Sequence, residues 1–181
     1  MNFNFKNLIK PNDFTIVSCI IKCRIMQWKV WKIMKARIVY ASMTGNDEDM
    51  ADILEEDLQD YGFDVETSDV GFTDANDYLE SDLCIFITYT YGEGAMTDEI
   101  ADFYEELKAL DLSGKYFAVM GSGDKTYGEH FCENVFDYEK AFKECGATEI
   151  TKPVTIENAP DDEAIDLIDQ AAKEMADKLH D

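Results

Sequence analysis

The sequence has no Gly-Lys-Ser/Thr of a nucleotide-triphosphate loop, no Cys-x-x-Cys pair, no apolar run of membrane length, no internal repeat and no low-complexity tract. Each absence removes a class of function. Without the loop lysine, an anion site must rely on neutral donors. Five cysteines at irregular spacing (Cys19, Cys23, Cys84, Cys132 and Cys145) suggest neither a zinc ribbon nor an iron–sulfur site. Reduced, mostly buried thiols and a cytoplasmic setting are expected instead. The apolar run from Phe14 to Ile21 is broken soon after by Lys22 and Arg24, and no convincing small-residue cleavage site follows it. Basic residues are scarce, 16 against 39 acidic, for a net charge of -23. Six of those 16 lie in residues 1–34 beside a single acid, Asp13, so the remainder carries 10 basic and 38 acidic residues. Such a body repels nucleic acid and anionic membrane and attracts partners with basic faces.

The 181 residues present allow one domain with a sizeable core plus an appendage. Residues 1–34 are that appendage, a basic extension holding both tryptophans, Trp28 and Trp31. Met34-Lys35-Ala36-Arg37-Ile38-Val39-Tyr40 reads as the natural start of an α/β domain at its first strand, so residues 1–34 are expected to reflect an upstream start or a loosely ordered extension. An intact mass of the native protein that includes them rules out the upstream start.

From Lys35 the pattern alternates strand and helix. A strand is expected over Ala36 to Ala41, then a helix from Asn46 to Tyr61 with its apolar stripe at Met50, Ile53, Leu54 and Leu58. A short strand from Phe63 to Thr67 and a short helix from Asp74 to Leu79 follow. The runs Leu83 to Thr88 and Tyr116 to Met120 are continuously apolar, as strands buried on both faces of a parallel sheet must be. Helices are expected over Asp98 to Leu110, about Glu129 to Cys145, and Ala159 to Lys178. A fifth strand spans Thr148 to Ile156, at an edge or bulged because Pro153 lies inside it. Five strands alternating with helices imply a parallel sheet with right-handed crossovers and helices on both faces. The loops after the first, third and fourth strands should then converge beyond the C-terminal strand ends.

Those three loops have unusual composition. The first is Ser42-Met43-Thr44-Gly45-Asn46-Asp47. Its hydroxyls, a glycine and the unpaired N–H groups of a helix start make a cradle for a single phosphate monoester. Taken alone, a Thr-Gly-Asn turn is also an ordinary strand-to-helix connection. The second loop is Thr88-Tyr89-Thr90-Tyr91-Gly92-Glu93-Gly94, and the third runs from Gly121-Ser122-Gly123-Asp124 through Tyr127 to Phe131-Cys132. Tyrosines among glycines at strand ends make poor core and good walls for a flat ring, while the glycines let backbone polar groups reach its edge.

On Ser42-Met43-Thr44-Gly45-Asn46, Thr90-Tyr91-Gly92-Glu93-Gly94 and Gly123-Asp124 through Cys132, residues 35–181 resemble a flavodoxin, an FMN-binding electron carrier. The short run between Gly146 and Pro160 resembles the short-chain type. The resemblance implies a flavodoxin-like three-layer α/β sandwich with a five-stranded parallel sheet of order 2-1-3-4-5. It implies that Ser42, Thr44, Asn46 and the backbone from Gly45 to Glu48, including Asp47, hold the FMN phosphate, with a hydroxyl from Thr88 or Thr90. Tyr91 and Tyr127 cover the two ring faces, Asp124 meets the pyrimidine edge through its backbone, and Cys132 adds a backbone contact. Met43, Tyr89, Gly121, Gly123 and Phe131 complete the binding set by their places in the motifs. By the same resemblance, Gly92–Glu93 occupies the place of the peptide that flips in the family to stabilise the neutral semiquinone. One departure stands out, Asp47 where many relatives have threonine. A carboxylate there should repel the phosphate and weaken binding unless its side chain points away.

The implied function is a low-potential single-electron carrier shuttling between semiquinone and hydroquinone, not an enzyme. It is expected to be a monomer whose partners are a pyridine-nucleotide flavodoxin reductase and iron–sulfur oxidoreductases, steered by rim acids such as Glu93, Asp98, Glu99 and Glu129. The alternative is a flavodoxin-like FMN-dependent quinone or nitro reductase, for which the chain has little spare sequence to build a substrate pocket. A response-regulator receiver is set aside, because the acidic positions it needs read Tyr40-Ala41-Ser42 and Thr88-Tyr89-Thr90. His130 has no evident acid or nucleophile partner in sequence and is not assigned catalysis.

Overall fold

The computed structural model describes residues 33–92 and 94–180. The expectation for residues 1–34 falls almost wholly outside them, and so does the site assignment of Glu93.

The chain runs β1 (Lys35–Tyr40), α1 (Asn46–Asp60), β2 (Asp64–Asp69), two 3₁₀ turns (Val70–Phe72 and Ala75–Glu80), β3 (Leu83–Tyr89), α2 (Asp98–Lys108) and β4 (Tyr116–Gly123). A further 3₁₀ turn (Lys125–His130), α3 (Glu133–Glu144), β5 (Thr148–Glu149), β6 (Val154–Glu157) and α4 (Asp162–His180) complete it. The strands are all parallel, in the order β2-β1-β3-β4-β5, with β6 also paired to β4. This is the expected order.

Strand periodicity divides the core into two layers. On β3, Cys84 and Phe86 face one side, with α2 and α3; Leu83, Ile85 and Ile87 face the other, with α1 and α4. The first layer is aromatic. Phe86 stacks on Phe103 at 5.3 Å and on Tyr138 at 3.9 Å, and Phe117 stacks on Phe142 at 5.0 Å. The second is aliphatic, with Met50, Leu54 and Leu58 of α1 against Ile168, Ala172 and Met175 of α4. Every residue of β3 is buried, which accounts for its unbroken apolar run. Burying each large side chain contributes about 1.5–3 kcal/mol.

Four boundaries differ from the sequence expectation. Strand β4 continues past Met120 to Gly123, because Gly121 and Ser122 pair with β3 on one side and β6 on the other. The fourth helix does not begin at Glu129. Gly128 and Cys132 both take left-handed backbone (φ of 60° and 54°), so a 3₁₀ turn precedes α3. The fifth strand is two pieces separated by residues 150–153, where Pro153 has no N–H to give the ladder. The last helix starts at Asp162, with the Asp161 carboxylate accepting the Ala164 N–H at 3.0 Å.

The switch point lies between β1 and β3. The chain leaves β1 for β2 on one side and later enters β3 on the other, so the loops beyond Tyr40, Tyr89 and Gly123 open at one end of the sheet.

Candidate functional site

The cradle forms where β1 hands over to α1. Gly45 caps the helix at φ 94°, a conformation costly for any residue with a Cβ, and no atom lies within 4 Å of where that Cβ would stand. The Gly45 N–H donates to Ser42 Oγ at 3.0 Å, which leaves the Ser42 hydroxyl hydrogen for a ligand. The first intrahelical bond is from Asp49 N–H to the Gly45 carbonyl, so the N–H groups before it have no partner in the helix. Thr44 is exposed beside them. The helix dipole, N–H groups with no partner in the helix and two hydroxyls suit an anion without a lysine.

The ring end is built from the other two loops. Tyr91 is 61% exposed on the loop after β3, and Tyr127 faces it from the turn after β4, with ring centroids 6.4 Å apart and an interplanar angle of 62°. Two faces that clasp a flat ring stand about 7 Å apart, twice a carbon–carbon contact. Closing on a ring therefore requires rotation more than translation. Between cradle and tyrosines lies a cleft of ≈210 Å³ lined by Met43, Thr44, Asn46, Tyr89, Thr90, Tyr91, Ser122, Gly123, Asp124, Tyr127 and Asn158. A larger cleft of ≈640 Å³ runs between residues 149–155 and α4, but it has no aromatic wall and none of the three loops, so volume does not identify the site. Hydroxyl and N–H donors at one end and facing tyrosines at the other fit a ligand that joins a phosphate to a flat ring.

Buried hydrogen bonds tie the walls together. Asp47 is 0% exposed, and its carboxylate turns away from the cradle to accept the N–H and the hydroxyl of Ser122, both at 3.0 Å. Burial pushes this carboxyl up to about 6, against the lowering effect of the Ser122 donors. The Ser122 carbonyl accepts the Thr90 N–H at 2.9 Å. Thr90 Oγ1 accepts the Asn134 N–H at 3.1 Å, and Asn134 Nδ2 donates to the Tyr89 carbonyl at 2.9 Å. The Asp124 carboxylate is engaged by the hydroxyl and N–H of Thr126, which hold it below its usual range, and the residue lines the cleft.

The structure brings together most of the residues singled out by sequence, with Ser42 and Gly45 at the cradle and Gly92 (φ 60°) beside Tyr91. Others lie away from the cleft. Thr88 is fully buried with its hydroxyl turned to the Tyr89 carbonyl, Gly121 is inside the sheet, and Phe131 packs on the aromatic layer. The Cys132 thiol points to the Gly121 and Ile156 carbonyls, and burial pushes it up to about 12. His130 Nδ1 pairs with Glu133 at 2.6 Å, a partner that the sequence did not reveal. Three further residues emerge only here. Ser122 was hidden between two glycines, and Asn134 carried no signal within a helix. Asn158, at φ 60°, donates its N–H to the Gly123 carbonyl at 2.9 Å; an asparagine just before Ala-Pro is a turn signal that could have found it.

A family model described as Flavodoxin matches residues 38–180. Among curated relatives, Probable flavodoxin 2 of Bacillus subtilis (strain 168) is 38% identical over 145 residues, covering 80% of this chain and 95% of the relative. Among solved structures, a flavodoxin of Streptococcus pneumonia TIGR4 superposes with a TM-score of 0.77 at 44% identity, covering 80% of this chain and 99% of that one. A short-chain flavodoxin associated with a PDU bacterial microcompartment superposes with a TM-score of 0.78 at 39% identity, covering 81% and 99%.

Proposed function

The chain belongs to the flavodoxin family as a short-chain member, and on that premise we propose that it carries electrons singly and at low potential on FMN clasped between Tyr91 and Tyr127. It binds FMN and transfers electrons between redox partners; it is not an enzyme. When bound, FMN supplies reversible one-electron chemistry, and the protein supplies position and environment. Ser42, Thr44 and the first N–H groups of α1 hold the phosphate. Tyr91 and Tyr127 cover the ring and exclude water. Thr90, Gly123 and Asp124 present backbone groups to its edge. Gly92 has no side chain to obstruct a turn of its peptide. The acidic body disfavours added negative charge at the ring, which lowers the potential of the second reduction.

The partners we propose are a pyridine-nucleotide flavodoxin reductase and iron–sulfur oxidoreductases with basic faces. A cytoplasmic setting is consistent with the free thiols of Cys84, Cys132 and Cys145. No helix among the described residues is long and apolar enough to cross a membrane.

The observation that carries this reading is the convergence of a neutral phosphate cradle with two facing tyrosines at the switch point of the sheet. An anaerobic dithionite titration of the FMN-loaded protein, followed by absorbance, tests it. Two resolved one-electron steps are expected, with no reduction by NADPH alone. A single two-electron step, or rapid reduction by NADPH without a partner, overturns it.

A further inference from the structure

Asp47 occupies the second position of α1, and its carboxylate is fully buried. A buried carboxylate is costly unless its oxygens are satisfied, and both are satisfied here by one residue, Ser122, 75 positions further along the chain. The two ends of that contact have different tasks. Asp47 belongs to the helix start that forms the phosphate cradle. Ser122 leads directly into Gly123 and Asp124, which line the ring end, and its carbonyl holds the Thr90 N–H at the root of the other ring loop.

We propose that the Asp47 side chain is a positioning group that fixes the phosphate cradle at a set distance from the ring-binding loops, its carboxylate making no contact with the phosphate. This inference rests on the FMN site described above. A ligand carrying both a phosphate and a flat ring gains from two sub-sites only when their separation matches its own length. The carboxylate that sequence placed in conflict with the phosphate is instead the strut that sets this separation. The position asks for two acceptor functions aimed away from the cradle, one for a backbone N–H and one for a hydroxyl.

The test compares the dissociation constants of FMN and riboflavin, which share the ring and differ in the phosphate, for the full-length apoprotein and its variants. The readout is the ratio Kd(riboflavin)/Kd(FMN), measured by quenching of flavin fluorescence, with the apoprotein unfolding midpoint recorded alongside. Asp47→Ala should lower the ratio by about tenfold, the scale of charge-assisted hydrogen bonds. Asp47→Asn keeps an oxygen for the Ser122 N–H and offers an N–H to the Ser122 hydroxyl, so it should restore the ratio to within about threefold of wild type. Ser122→Ala removes the hydroxyl and keeps the backbone bond, and should lower the ratio by about threefold.

A purely structural role lowers the midpoint and weakens both flavins together, leaving the ratio unmoved; that result overturns the proposal. So does an Asp47→Asn ratio as low as that of Asp47→Ala. If Asp47→Ala does not fold, Ser122→Ala and Asp47→Asn decide by the same ratio. A wild-type apoprotein that binds neither flavin overturns the site itself, a different result from a site that binds normally and ignores Asp47.

Discussion

Gly121 sits where β4 passes closest to β3 and α3. A Cβ added there would stand 2.0 Å from the Thr88 carbonyl oxygen and 2.5 Å from Val135 Cγ2. The strand is paired on both sides, to Thr88 and to Thr155, so neither wall yields. Gly121→Ala should cost about 3 kcal/mol, the upper part of the overpacking range. Gly114 has a left-handed backbone (φ 85°) but open space where its Cβ would be, so Gly114→Ala should cost about 1 kcal/mol from backbone strain alone. Urea unfolding of the two variants checks the order; equal losses would mean that the close approach at Gly121 is relieved by movement. By sequence alone Gly121 falls in the binding set, because it stands among other glycines in a loop. Composition flagged the residue, but the reason for the glycine is the neighbouring strand, which lies 33 positions away in the chain and has no local signature.

At the scale of elements, the α1–α4 pair shows how burial can oppose charge. Their apolar faces meet through Leu54, Leu58, Ile168 and Ala172, and that packing brings Asp57 of α1 towards Asp169 of α4. Burial, then the Asp169 carboxyl, with Asp60 and Glu56 adding charge, pushes the Asp57 carboxyl up to about 6. In the unfolded chain it lies near its ordinary value of about 4. A carboxyl raised on folding favours the fold fully below pH 4 and loses that contribution as pH rises through about 6. Asp47 acts in the same direction. Asp57→Asn should therefore raise the thermal midpoint at pH 8 and leave it unchanged at pH 4. A gain of equal size at both pH values would show that the carboxyl is not the cause. The periodicity of α1 and the start of α4 near Pro160 were readable from local pattern. The facing of the two acids was not, because it depends on how two distant helices meet across the sheet.

For the whole molecule, the dominant long-range property is charge. Residues 35–181 carry 38 acidic and 10 basic side chains, and among the basic ones Lys125, beside the cleft, is paired with Glu157 at 2.7 Å. Surface charge steers an oppositely charged partner while it is still distant, and salt screens that attraction over a Debye length that falls from about 30 Å at 0.01 M to about 3 Å at 1 M. Electron transfer from the reduced protein to hexaamminecobalt(III), a small cation, should slow by about tenfold or more over that range, while transfer to anionic ferricyanide should quicken. Stopped-flow absorbance measures both. Rates that do not respond to salt, or that respond alike for the two oxidants, would remove steering from the account.

Local chemistry and periodicity determined much of this protein by themselves. Strand and helix alternate because apolar residues repeat at two or at about 3.6, and a strand buried on both faces must read as an unbroken apolar run. The cradle was legible because a hydroxyl-rich turn into a helix start is an anion site through its own backbone, and the tyrosines stood out as poor core residues on glycine-flanked loops. Only the tertiary structure decided where the Asp47 carboxylate goes, why β4 runs on to Gly123, and that Asn134 and Asn158 belong to the site's framework. Each of these depends on a partner brought alongside by the sheet, and a buried polar group chooses its direction by the donor or acceptor it finds there.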